Sequence, residues 1–200
     1  MKMRLKDRSM HLAWAIFAMS ILAACSSPPV PKPRGYFRID LPERSYKTYQ
    51  SDCPFTFEYP SYATVIVDTI RFKEPCWLNL HFPNFRGDLH VSYKQVNNNL
   101  EGYLEDSYQF AMKHMSMASA MNDSTVFDAD NRVFGLVYKI EGEHTASPYQ
   151  FYLTDSTHHF FRGALYFNVR PNNDSLAPVI RFIEKDMEHL IETFRWKQQQ

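Results

Sequence analysis

Glycine is scarce, with 6 in 200 residues, and the chain has no internal repeat. That excludes solenoid arrays and glycine-rich low-complexity segments. Net charge is also absent, since 22 Lys+Arg face 22 Asp+Glu. A nucleic-acid binder driven by bulk positive charge is therefore excluded. Mean hydropathy is −0.42, and no apolar run reaches the roughly 20 residues of a membrane-spanning helix. A polytopic membrane protein is ruled out on that ground. Aromatics are abundant instead: 16 Phe, 12 Tyr and 3 Trp in a chain that is 44% hydrophobic. Such a chain is too apolar to stay disordered and reads as one strand-rich packed domain.

The first residues read as an address. Lys2, Arg4, Lys6 and Arg8 precede a short apolar stretch from Leu12 to Leu22, and the stretch ends Leu22-Ala23-Ala24-Cys25. This is the lipobox of bacterial lipoproteins: an aliphatic residue, two small residues, then the cysteine that takes the lipid. Residues 1–24 are expected to be a signal peptide and Cys25 the acylated N-terminus, with palmitate among its chains. Cleavage removes four basic residues and Asp7, so the mature chain turns mildly acidic. Acyl chains must then provide the anchoring, at about 0.8 kcal/mol per buried CH₂. Residues 25–34 hold Pro28, Pro29, Pro31 and Pro33 and read as an extended tether. No acidic run follows Cys25, which favours the periplasm over the cell surface. Inner and outer membrane stay open. Residues 35–200 are expected to form a single α+β periplasmic domain.

Two cysteines remain, Cys53 and Cys76. In an oxidising compartment they read as a disulfide. Two free buried thiols, or a metal pair, are the alternatives. Each cysteine abuts a proline at the edge of a strand-like run.

Alternating apolar and polar residues predict strands at Tyr36–Leu41, Phe55–Tyr59, Thr64–Asp68, Trp77–Phe82 and Leu89–Val96. A hairpin pairing Phe82 with Leu89 keeps both apolar sets on one face. Residues 99–121 switch to helical spacing: Leu100, Tyr103, Leu104, Ala111, Met115 and Ala118 share a stripe. Asn98 and Glu101 have the spacing of a capping box. Strands return at Val126–Phe127, Phe134–Glu141, Tyr149–Thr154 and Phe160–Val169. A second helix follows, capped by Asp174 or Ser175, with Pro178 in its first turn. Its stripe is Leu176, Val179, Ile180, Ile183, Met187, Leu190, Ile191 and Phe194. The order predicts an α+β fold, an antiparallel sheet of about six to eight strands with two main helices packed on it.

Chemistry-bearing residues are few. Asp155-Ser156-Thr157-His158-His159 holds a hydroxyl, imidazoles and a carboxylate, but side chains crowded in one turn seldom form a triad. No Gly-x-Ser-x-Gly elbow, His-Glu-x-x-His pair, P-loop or dinucleotide fingerprint occurs. His81 and His90 would oppose each other in the hairpin and, with His158 or His159, could hold a metal; solvated polar residues are the alternative. Glu105 and Asp106 fall on the wet face of the first helix. His114 and His189 sit on helix faces and read as packing or boundary residues. Met112, Met115, Met117 and Met121 read as ordinary packing, with an adaptable binding face as the alternative. No catalytic, cofactor or metal residue is assigned.

Several stretches together resemble the GldD family of gliding-motility lipoproteins. They are Arg34-Gly35-Tyr36-Phe37-Arg38-Ile39-Asp40-Leu41-Pro42, Cys53-Pro54-Phe55-Thr56-Phe57-Glu58-Tyr59-Pro60 and Pro75-Cys76-Trp77-Leu78-Asn79. Ser147-Pro148-Tyr149-Gln150-Phe151-Tyr152-Leu153-Thr154-Asp155-Ser156 and Phe161-Arg162-Gly163-Ala164-Leu165-Tyr166-Phe167 add to them. The resemblance implies a lipoprotein needed for gliding and associated with type IX secretion machinery, and it transfers no catalytic residue. Phe55-Thr56-Phe57-Glu58-Tyr59-Pro60 and Ile191-Glu192-Thr193-Phe194 are also similar to the opening strand and closing helix of PsbP-like domains. That likeness implies a sheet sandwiched by helices, in proteins that assist assembly of larger complexes. The leading functional expectation is a non-catalytic subunit of the motility and secretion machine, held by the membrane and contacting other subunits. A periplasmic ligand- or metal-binding module is the alternative, and an enzyme the outsider.

Overall fold

Period-2 alternation builds most of the molecule. The computed structural model describes Trp14, residues 38–67 and residues 74–197. Apart from Trp14, the signal peptide, Cys25 and the tether lie outside the described residues. Tyr36–Gln200 form one compact unit. Among its described residues are β1 (Tyr46–Tyr49), β2 (Phe55–Pro60), β3 (Thr64–Val67), β4 (Leu78–Phe82) and β5 (Gly87–Gln95). Helix α1 (Leu100–Met112) follows, then β6 (Ala120–Asp128), β7 (Val133–Glu141), β8 (Tyr149–Thr154) and β9 (His159–Phe167). Helix α2 (Asn173–Thr193) and β10 (Arg195–Trp196) close the chain. No described helix is long and apolar enough to cross a membrane.

Seven strands form one antiparallel sheet in the order β3-β4-β5-β9-β8-β7-β6, and β1-β2-β10 form a second. Alternation divides the large sheet into two faces. Leu89 and Val91 on β5, Phe161 and Leu165 on β9, and Phe151 and Leu153 on β8 point to one side, where they join Ile183, Met187 and Leu190 of α2. The small sheet completes that layer through Phe55 and Phe57. The aromatic excess is spent here: Phe161 lies 5.0 Å from Phe55 and 4.9 Å from Phe194, centroid to centroid. Each such buried ring contributes about 1.5–3 kcal/mol of apolar transfer. Gly163 sits between Phe161 and Leu165, and a Cβ there would lie 2.4 Å from the Phe151 ring. The other face is covered by α1, whose Ala111 packs with Tyr138 and Ile140 of β7. The fold is therefore α+β, with a helix on each face of the large sheet.

Several elements differ from expectation. Residues 38–41 form no strand; the pairing strand is β1, whose Tyr46 sits opposite Pro60 of β2. Residues 36–37 of the expected strand lie outside the described residues. Ile39 packs against the core while Leu41 is exposed, so the segment meets the core without pairing as a strand. The β4–β5 hairpin pairs Phe82 with Gly87 and Leu80 with Leu89. This is a two-residue shift that preserves the face of every side chain. Helix α1 stops at Met112, and a 3-10 turn at Met115–Met117 leads into β6. The capping box is not formed. Asn98 takes φ 57°, Asn99 is the cap residue, and its Oδ1 accepts from the Asn97 N–H. Helix α2 begins at Asn173, and Asn172 caps it by accepting from the Ser175 N–H at 3.3 Å. Pro178 thus lies inside the helix, beyond the first turn.

Candidate functional site

Helix α1 rests against β7 through Ala111 and against β9 through Tyr103, whose ring lies 5.4 Å from Phe160. It leaves the same face of β4 and β5 uncovered. A cavity of about 480 Å³ opens between that strip and the helix. Trp77, Tyr103, Phe110 and Phe160 supply apolar wall. Arg162 enters from β9. Its guanidinium donates to Gln150 Oε1 at 2.6 Å and lies 4.8 Å from the centre of the Phe110 ring. Burial holds its pKa below the ordinary arginine value. His114 is lowered by burial and by the nearby Arg162 charge. Ser107 faces the cavity from α1; its hydroxyl is buried and has no hydrogen-bond partner among the described residues. Sequence reading assigned Arg162 and Ser107 no role. A charged residue between two apolar ones on a central strand was the available signal.

Large apolar side chains also stay open on this side. Tyr108 and Phe110 on α1, Met117 after it and Phe127 on β6 are all exposed, Phe127 by 78%. Phe127 pairs with Phe134, two residues before Leu136, which packs on the α1 side. Of the methionines, Met121 packs with Tyr138 and Ile140, while Met117 faces outward.

On the opposite face, Asp186 of α2 is fully buried. It accepts from Tyr46 Oη at 2.9 Å, from Tyr62 Oη in a shorter bond, and from Arg44 Nε at 3.2 Å. Burial first, then the Asp186 hydrogen bond, push the Tyr46 phenol up to about 12 and raise Tyr62 further. With both phenols protonated and donating, the cluster ties the β1–β2 layer to α2. Sequence reading passed over Asp186. The signal was its spacing, three residues after Ile183 and four before Leu190, on the apolar stripe.

The turn after β8 does not assemble a nucleophile. Asp155 Oδ1 accepts from the N–H groups of Thr157, His158 and His159 at 3.0, 2.8 and 2.8 Å. Burial pushes this carboxyl up, but those donors and the Thr157 hydroxyl outweigh it and hold the pKa at about 2. Ser156 takes φ 68°, and among the described residues its hydroxyl bonds neither imidazole. His159 Nδ1 is 2.7 Å from Tyr93 Oη, and its ring stacks on Trp196. Nor do His81 and His90 oppose each other, because of the two-residue hairpin shift. His81 faces Asp88 at 2.7 Å and His90 faces Asn79 at 2.7 Å. Among the described residues no group of three or more His, Cys, Asp or Glu is placed to hold a metal. Cys53 and Cys76 form a disulfide, with Cα atoms 5.6 Å apart. It joins the segment entering β2 to the segment entering β4. Cys25 lies outside the described residues.

The profile of the family described as gliding motility lipoprotein GldD matches residues 26–196. No curated protein matches the chain. Among solved structures, cyanobacterial PsbP (CyanoP) from Synechocystis sp. PCC 6803 is similar, with a TM-score of 0.47 and 10% sequence identity. The likeness covers 80% of this chain and 97% of that one.

Proposed function

The chain belongs to the GldD family of gliding motility lipoproteins, and from that premise we propose that it is a non-catalytic subunit of the gliding apparatus. In this reading it is anchored in the membrane by acyl chains on Cys25, faces the periplasm and acts by protein–protein contact within the type IX secretion machinery. The observation that carries the contact reading is the set of exposed apolar side chains on the α1 side: Tyr108, Phe110, Met117 and Phe127. Exposed apolar side chains gathered on one side of a molecule mark interaction surfaces. The anchoring reading is supported by the lipobox and by a family match that starts at residue 26, next after Cys25.

Two experiments test these parts separately. Cys25→Ala is expected to abolish fatty-acid labelling and leave an uncleaved precursor; labelling that survives refutes the anchor. Tyr108→Ser with Phe127→Ser, which leaves the cleft lining untouched, is expected to leave the melting transition within a few degrees of the parent and to abolish gliding in a strain lacking the native copy. Normal gliding in cells carrying only the folded double variant refutes the contact surface.

A further inference from the structure

We infer that the cavity between α1 and the β4–β5–β9 strip is a binding site for a small amphipathic carboxylate, one carboxylate group on an aliphatic or aromatic body. The volume of about 480 Å³ is that of a small-molecule pocket, and such pockets combine apolar walls with a few placed polar groups. Trp77, Tyr103, Phe110 and Phe160 are the walls here.

Arg162 and Ser107 are the placed polar groups. Arg162 is held by Gln150 and by the Phe110 ring. Asp106 also lines the cleft, but it is exposed to solvent, and among the described residues no carboxylate makes an ion pair with Arg162. Leaving a desolvated charge unpaired is costly, and a bound carboxylate supplies the missing charge in the planar geometry a guanidinium prefers. Ser107 offers a buried hydroxyl with no partner among the described residues, which a carboxylate oxygen can accept from. Lys94 stands at the mouth, already engaged by Glu74 at 2.9 Å and set over Trp77. Its charge is thus already compensated, which leaves Arg162 as the cleft's unpaired cation among the described residues. Phe110 borders both this cleft and the exposed contact set, but ligand binding inside the cleft does not depend on the protein-contact reading.

The test uses the full chain, purified as the cell makes it, and ligand-observed NMR titration with phenylbutyrate and its neutral analogue phenylbutanol. Phenylbutyrate is expected to saturate and to bind about tenfold more tightly than the alcohol. Arg162→Gln is expected to remove that preference. Ser92→Phe, directly across the β5–β9 pair from Arg162, fills the cleft from the open strip and is expected to abolish binding of both compounds. Absence of saturable binding, equal affinity for acid and alcohol, or binding undiminished in folded Ser92→Phe each overturns the proposal.

Discussion

Asp186 is a carboxylate on the apolar stripe of a helix, and three donors make that position tolerable. Removing it leaves the Tyr46 and Tyr62 hydroxyls without their acceptor and the Arg44 guanidinium with the Phe182 carbonyl in place of its counter-charge. Asp186→Ala is expected to cost about 3 kcal/mol, read as a lower urea midpoint; a loss below about 1 kcal/mol contradicts this role. Asp155 carries a pH dependence. Its folded pKa of about 2 lies below the ordinary 3.8. Its contribution is therefore complete above pH 3.8 and disappears as pH falls towards 2. Asp155→Asn is expected to flatten stability across that window, and an unchanged acid slope contradicts it. At this scale the sequence was least legible. Asp186 shows in the helical spacing only if an acid on the buried stripe is taken as a partnered group. Arg162 shows only as a charge in a central strand, because its partners lie on β8 and α1.

At the scale of elements, legibility followed the strength of the pattern and the clarity of its ends. Strand β8 lies at its expected Tyr149–Thr154 because full alternation is bounded by Pro148 and Asp155. Strand β1, Tyr46–Tyr49, was missed because its residues alternate weakly, and its stability comes from pairing with β2. Strand β6 is a polar edge, with Asn122, Asp123, Ser124 and Thr125 exposed, so only its end at Val126–Phe127 stood out. Helix α1 overran in the sequence because Met115 and Ala118 extend its stripe and no glycine or proline stops it. The disulfide belongs to this scale, since it fastens β2 of the small sheet to β4 of the large one. The 23-residue separation gives about 3 kcal/mol in the chain-entropy model. Cys53→Ala with Cys76→Ala is expected to lower stability by about that amount, and the unreduced parent is expected to show neither thiol when unfolded. Two reactive thiols in that assay contradict the bond.

The whole molecule is asymmetric about its large sheet. One face is sealed by α2, the small sheet and the aromatic cluster; the other carries a single short helix, a cleft and exposed rings. Sequence order and period announced the two helices and the antiparallel sheet, but not the split into two sheets. That split depends on β2 pairing with β1 and β10, which are distant or very short. The asymmetry gives the contact proposal its address, the α1 side. Site-specific photocrosslinking tests it most directly. A photoreactive residue is placed at Phe110, Phe127 or, on the α2 face, Arg181, and each variant is expressed in gliding cells. The account expects positions 110 and 127 to give discrete adducts with the same envelope proteins and position 181 to give none of them. No adduct from 110 or 127 in cells that still glide would contradict it.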